Sequence, residues 1–257
     1  MEMIDSGDVR IAVRSDGPQD GPALLMAHAL GLDHTVFDSV LPHLPPALRV
    51  VRYDARGHGA SDTPDPPYAM GRIVADAEAV CEALTLRDVT IVGLSMGGLT
   101  GIGLAVKRPD LVRSLILSNT AARIATRTVW DERARAVTEG GMNAIVETTL
   151  DRWFARDFPD RAKWGSRLRK ARVAGYAGTC AALGSADMRE IASGLTVPTL
   201  CIAGSHDGST PPDLVRETAD TIPGAEFVLL RRAGHLPCID HPEAYGAAIS
   251  GFLAELG

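Results

Sequence analysis

Apolar runs of four to six residues recur along this chain, separated by segments with helical periodicity, and that alternation restricts its fold more than any other feature. The runs at 23–27, 48–53, 89–92, 112–117, 198–203 and 227–230 read as buried strands. Between them, 73–84, 99–107, 212–221 and 242–256 place apolar residues at helical spacing. Strands that are apolar along their whole length bury both faces, so the pattern predicts an α/β fold with a mostly parallel central sheet and helices on both faces. At 257 residues the chain can bury a sizeable core without disulfide staples.

The alternation stops between 121 and 193. No strand-like run occurs there, and the segment is helix-friendly and arginine-rich, with 13 Lys and Arg against 9 Asp and Glu. The rest of the chain carries 13 against 23. This predicts a basic helical cap (lid) at 121–193 inserted into an acidic core made of 1–120 and 194–257.

Gly93-Leu94-Ser95-Met96-Gly97 follows the strand over 89–92 and opens a helix, which is the setting of a G-x-S-x-G turn. A strand that turns this sharply into a helix leaves its serine strained, and glycines two positions away on either side remove the clash. The N–H of Met96 and the helix N-terminus then face any negative charge that develops beside the serine. A glycine-rich turn that merely contains serine is the alternative, and the strand before and helix after argue against it.

A serine hydroxyl needs a base, and the base needs an orienting acid. Of the seven histidines, His235 lies in a loop after the last strand, and sites in α/β sheets gather at the carboxyl ends of strands. Asp207 follows the strand over 198–203 in the same way. The position after the strand over 112–117 offers Ser118, Asn119 and Thr120 but no carboxylate. The order Ser95, Asp207, His235 is the one expected for such a turn. His28-Ala29-Leu30-Gly31 fits a His-Gly-x-Gly loop with alanine at the first glycine, making the Leu30 N–H the expected second oxyanion donor beside that of Met96.

Other classes are disfavoured. A net charge of −6 argues against nucleic acid or an anionic membrane as the main partner. There is no run of 18 apolar residues. The N-terminal stretch Met1-Glu2-Met3-Ile4-Asp5 lacks the basic and apolar regions of a secretory signal, so a cytoplasmic location is expected. Cys81, Cys180, Cys201 and Cys238 show no metal-ligand or disulfide spacing, and neither metal nor organic cofactor is expected.

With these residues in view, the chain resembles the α/β-hydrolases over essentially its whole length. Tyr53-Asp54-Ala55-Arg56-Gly57-His58-Gly59-Ala60-Ser61 is similar to that superfamily's D-x-R-G-x-G-x-S turn. More narrowly, Ser118-Asn119-Thr120-Ala121-Ala122-Arg123-Ile124, Glu139-Gly140-Gly141-Met142, Arg152-Trp153-Phe154 and the stretch from Gly175 to Leu183 resemble the 3-oxoadipate enol-lactonases. The chain departs from that family's usual residues at Thr179-Cys180 and after His235-Leu236.

The resemblance implies a serine hydrolase that opens a small carboxylate-bearing lactone through an acyl-enzyme. A basic cap would favour such an anion. Arg123 is the candidate carboxylate partner, with Trp153 and Tyr176 as candidates to line the acyl pocket. A general carboxylesterase or cofactor-free perhydrolase on the same scaffold is the first alternative. A ligand receptor that retains the three residues is the second.

Overall fold

The computed structural model describes residues 1–257. Eight strands form one sheet in the order β1-β2-β4-β3-β5-β6-β7-β8. They are β1 (Glu2–Ser6), β2 (Val9–Asp16), β3 (Ala23–Ala27), β4 (Arg49–Tyr53), β5 (Val89–Leu94), β6 (Val112–Ser118), β7 (Thr199–Gly204) and β8 (Glu226–Leu230). All pairings from β4 to β8 are parallel, as the continuous apolar runs require. β5 and β7 are buried at every position.

The N-terminal hairpin is what the apolar-run criterion misses. β1 pairs antiparallel with β2, and β2 antiparallel with β4. β1, at the sheet edge, buries only Ile4 and Ser6, and exposed Arg10 and Arg14 confine the apolar run of β2 to Ile11–Val13, shorter than the runs of the core strands. Gly7, at φ 69°, makes the tight turn between them.

Helices α1 (Met70–Ala83) and α2 (Met96–Lys107) precede the β6 crossover. After β6 come five helices without an intervening strand: α3 (Arg127–Gly140), α4 (Val146–Trp153), α5 (Arg161–Arg169), α6 (Val173–Ser185) and α7 (Arg189–Ser193). The core then resumes with α8 (Pro212–Thr221), a short α9 (Pro237–Asp240) and α10 (Pro242–Glu255). No helix is long and apolar enough to cross a membrane.

Candidate active site

Ser95 sits between β5 and α2 at φ 56°, ψ −114°, a left-handed conformation that non-glycine residues avoid. Three backbone ties hold it there. Its N–H donates to Ser118 O at 2.9 Å, and its carbonyl accepts the Thr120 hydroxyl at 2.6 Å and the Gly98 N–H at 2.9 Å. The flanking glycines are explained by close approach. A Cβ on Gly93 would overlap the Gly97 carbonyl, and one on Gly97 would overlap that of Ala27. The strand-to-helix turn can therefore fold only with glycine at both positions.

Asp207 and His235, 28 positions apart, meet where the loops after β7 and β8 converge. His235 Nδ1 lies 2.8 Å from Asp207 Oδ2. The same carboxylate accepts the Ser209 and Thr210 N–H groups on Oδ1 at 2.7 and 2.9 Å, and the Thr210 hydroxyl on Oδ2 at 2.8 Å. Asn119 Nδ2 adds a further bond to Oδ2 at 2.9 Å and also reaches Gly234 O at 3.0 Å. Burial alone would raise the Asp207 pKa. The charge of His235 and these hydrogen bonds outweigh it, so the carboxylate lies below its ordinary value and stays ionised. An ionised acceptor at Nδ1 fixes the proton there and leaves Nε2 free to act as a base.

Asn119 was legible at the sequence level only as the absence of a carboxylate after β6. In the fold it is the residue that ties the acid to the His235 loop. It too adopts positive φ, at 47°.

The loop after β3 brings a backbone donor to the same place. His28 Nδ1 lies 2.8 Å from Ala29 O, and its Nε2 accepts the Ala55 N–H at 2.9 Å. The Ala55 bond requires a lone pair on Nε2, so Nδ1 carries the proton and donates to Ala29 O. Burial lowers the His28 pKa despite the nearby Asp54 carboxylate, which preserves that neutral tautomer. In a trans peptide the Leu30 N–H points opposite to the Ala29 carbonyl, so His28 aims it away from itself. That N–H has no acceptor in the protein. Met96 is the first residue of α2, where backbone N–H groups lack intrahelical acceptors.

A cavity of about 80 Å³ joins these groups, lined by Leu30, Ser95 and His235 from the core and by Trp153 and Tyr176 from the inserted helices. Its size is far below the several hundred Å³ of sites for drug-sized ligands. Asp207 stands behind His235 rather than in the lining.

Arg123 is elsewhere. It is exposed, pairs with Asp187 at 3.5 Å and lines a separate depression beside Arg189 and Glu217. The expectation that it meets the substrate is corrected: the chain after β6 carries its side chain outward, to a carboxylate beyond the end of α6. The cations that do line the cavity are Arg133 of α3 and Arg152 of α4. Arg133 Nε donates to Tyr176 Oη at 2.7 Å, and its other nitrogen donates to the Thr149 hydroxyl. Neither arginine forms an ion pair, and no Asp or Glu lines the cavity. Arg133 could have been found from helical spacing, because Val129, Trp130 and Arg133 share one face of α3 and all three line the cavity.

Residues 22–242 match the sequence profile of a family described as alpha/beta hydrolase fold. The chain is 31% identical to 3-oxoadipate enol-lactonase 2 of Acinetobacter baylyi, over 98% of this chain and 96% of that one. It is 33% identical to 3-oxoadipate enol-lactonase 1 of the same organism, over 96% and 94% of the two chains. The enol-lactonase from Burkholderia xenovorans LB400 superposes with a TM-score of 0.93 at 34% identity, covering 98% of this chain and all of that one.

Proposed function

The chain belongs to the alpha/beta hydrolase fold family, and from that membership we propose a serine hydrolase that opens a small carboxylate-bearing lactone, 3-oxoadipate enol-lactone being the substrate class its relatives' names point to. One observation carries the substrate class: Arg133 and Arg152, unpaired with any carboxylate, line the same small cavity as Ser95 and His235. An anionic group on the substrate supplies the missing countercharge, and a guanidinium can grip a carboxylate in two places.

In this reading the reaction runs through Ser95, His235 and Asp207. His235 Nε2 takes the Ser95 hydroxyl proton as Oγ attacks the lactone carbonyl. Asp207 keeps the imidazole oriented and stabilises the imidazolium that forms. The Leu30 and Met96 N–H groups receive the tetrahedral oxyanion, each contributing about 3 kcal/mol of barrier lowering. The ring C–O bond then breaks, the leaving enolate takes the proton from His235, and the acyl group stays on Ser95. Water, deprotonated by His235, releases the acid and restores the serine. Trp153 and Tyr176 bound the acyl pocket, and the helices of 121–193 act as its lid.

Turnover of freshly generated enol-lactone against 4-nitrophenyl acetate tests this reading. A kcat/KM larger for the lactone supports it. Equal or better turnover of the neutral ester would make the protein a general carboxylesterase instead.

A further inference from the structure

Two successive peptides lead into His235, and each is held at both its carbonyl and its N–H. In the Ala233–Gly234 peptide, the Ala233 carbonyl accepts the His206 N–H at 2.8 Å, from the loop after β7. The Gly234 N–H of the same peptide donates to Asp240 Oδ2 at 2.7 Å. In the Gly234–His235 peptide, the Gly234 carbonyl accepts Asn119 Nδ2 at 3.0 Å, and the His235 N–H donates to the Trp153 carbonyl at 2.8 Å. A peptide unit is planar, so a bond at each end fixes its plane. Of the four partners, Asp240 alone is a carboxylate.

Asp240 is itself firmly placed. It closes α9 and stands next to α10, whose Tyr245, Ile249 and Phe252 are buried in the core. Its N–H donates to Leu236 O at 3.1 Å, and the following His241 N–H donates to Pro237 O at 3.0 Å. Its side chain is only 5% exposed, and Oδ1 lies 3.0 Å from His241 Nδ1. With one oxygen on each of two partners, the carboxylate has a single orientation. The residue it holds needs holding. Position 234 must be glycine, because a Cβ there would overlap the Trp153 carbonyl, yet glycine has the least restrained backbone of any residue. Without the Asp240 bond, the Ala233–Gly234 peptide keeps one tie and can turn about it, and glycine passes that turn on to His235.

We propose that Asp240 is a positioning residue for His235. By accepting the Gly234 N–H it fixes the peptide before the glycine, and so sets where the imidazole stands against Asp207 and Ser95. The C-terminal helices thereby become a fourth reference for the base, beside β6, β7 and the end of α4. This role rests on His235 as the base of the hydrolysis proposed above, and it is independent of which ester or lactone Ser95 attacks.

Asp240→Ala and Asp240→Asn, compared with the unaltered protein, decide it. Asp240→Ala should lower kcat on the lactone about 10–100-fold and leave KM within about twofold, since Asp240 does not line the substrate cavity. Asp240→Asn keeps an acceptor oxygen in the same place and should recover kcat to within about threefold. Asp240→Ser, polar but too short to reach the Gly234 N–H, should behave like Asp240→Ala and replaces it if alanine unfolds the protein. A second readout needs no turnover. The Nδ1 proton between His235 and Asp207 gives a far-downfield proton NMR signal, assigned by its loss in Asp207→Ala. That signal should move or broaden in Asp240→Ala and return in Asp240→Asn. An unchanged kcat in Asp240→Ala, equal losses in the alanine and asparagine variants, or a lowered kcat with an unmoved signal would each overturn the proposal. If the unaltered protein hydrolyses neither lactone nor ester, the hydrolase reading falls, and the NMR signal alone decides whether Asp240 holds His235.

Discussion

The backbone N–H of His235 donates to the Trp153 carbonyl at 2.8 Å, so the end of α4 is hydrogen-bonded to the loop that carries the proposed base. Next to it, the Gly208 N–H donates to Arg152 O at 3.0 Å, tying the loop of Asp207 to the same turn. Two consecutive carbonyls of the inserted segment thus hold the two loops whose side chains form the Asp207–His235 pair. This end of the insertion supports the loops of Asp207 and His235, so any opening of the proposed lid would come from its other helices.

Gly234→Ala tests that support. A Cβ at this position would overlap the Trp153 carbonyl and approach Asp240 Oδ2 at 3.0 Å. Displacing His235 by a fraction of its hydrogen-bond length should lower kcat/KM about 100-fold. The overpacking itself should lower stability by about 1–3 kcal/mol. Kinetics together with urea unfolding separate the two, and a stability loss with undiminished kcat/KM would show the contact to be structural only.

Ser95→Ala should leave the fold intact and lower kcat on the lactone by about 10⁴–10⁶-fold. Alanine fits the space, and the backbone ties to Ser118 and Thr120 do not involve the hydroxyl. Unchanged turnover would remove Ser95 as the nucleophile.

Arg133→Ala and Arg152→Ala should each raise KM for the anionic lactone about tenfold while leaving KM for a neutral aryl ester nearly constant. Arg123→Ala should change neither, given its outward pairing with Asp187. A KM effect of the same size on both substrates would assign the two cavity arginines to pocket shape rather than charge.

Asn119→Ala withdraws one donor from Asp207 and the tie to Gly234. Looser placement of the pair should lower kcat about tenfold. An unchanged kcat in Asn119→Ala would show that the Asp207–His235 pair is held in place without it.

Acid stability should reflect His58. Unfolded, the ring takes up a proton below about 6.5; in the fold, burial delays this to about 3. The unfolded state therefore binds more protons between those values. This contribution is complete above about 6.5 and is lost as pH falls, by up to about 1.4 kcal/mol per unit. His28, also depressed by burial, acts in the same direction. Urea midpoints measured from about pH 7 down to about pH 5 should fall steadily, and a flat profile would contradict the burial of neutral rings.

Much of the fold is legible along the chain. The six apolar runs became β3 to β8 with boundaries shifted by at most two residues, and each of the four helical segments became a helix. The antiparallel hairpin of β1 and β2 escaped because β1 is a half-exposed edge strand and exposed Arg10 and Arg14 cut the apolar run of β2 to three residues, Ile11–Val13. Leu30, Trp153 and Tyr176 proved to line the cavity, whereas Arg123 did not. A helical segment's composition records that cations are present, not which way the chain turns before each one.

The sequence by itself determined the alternation of elements and the placement of Ser95 on a turn that only glycine neighbours permit, since both depend on residues a few positions apart. Tertiary structure decided the rest of the site. Asn119 reaches Asp207 across 88 positions, Arg133 reaches Tyr176 across 43, and Trp153 reaches His235 through backbone atoms that carry no residue-specific signal. Hydrogen bonds operate over about 3 Å, so their partners are selected by where the packed sheet and helices bring the chain together, and separation in sequence carries almost no information about that.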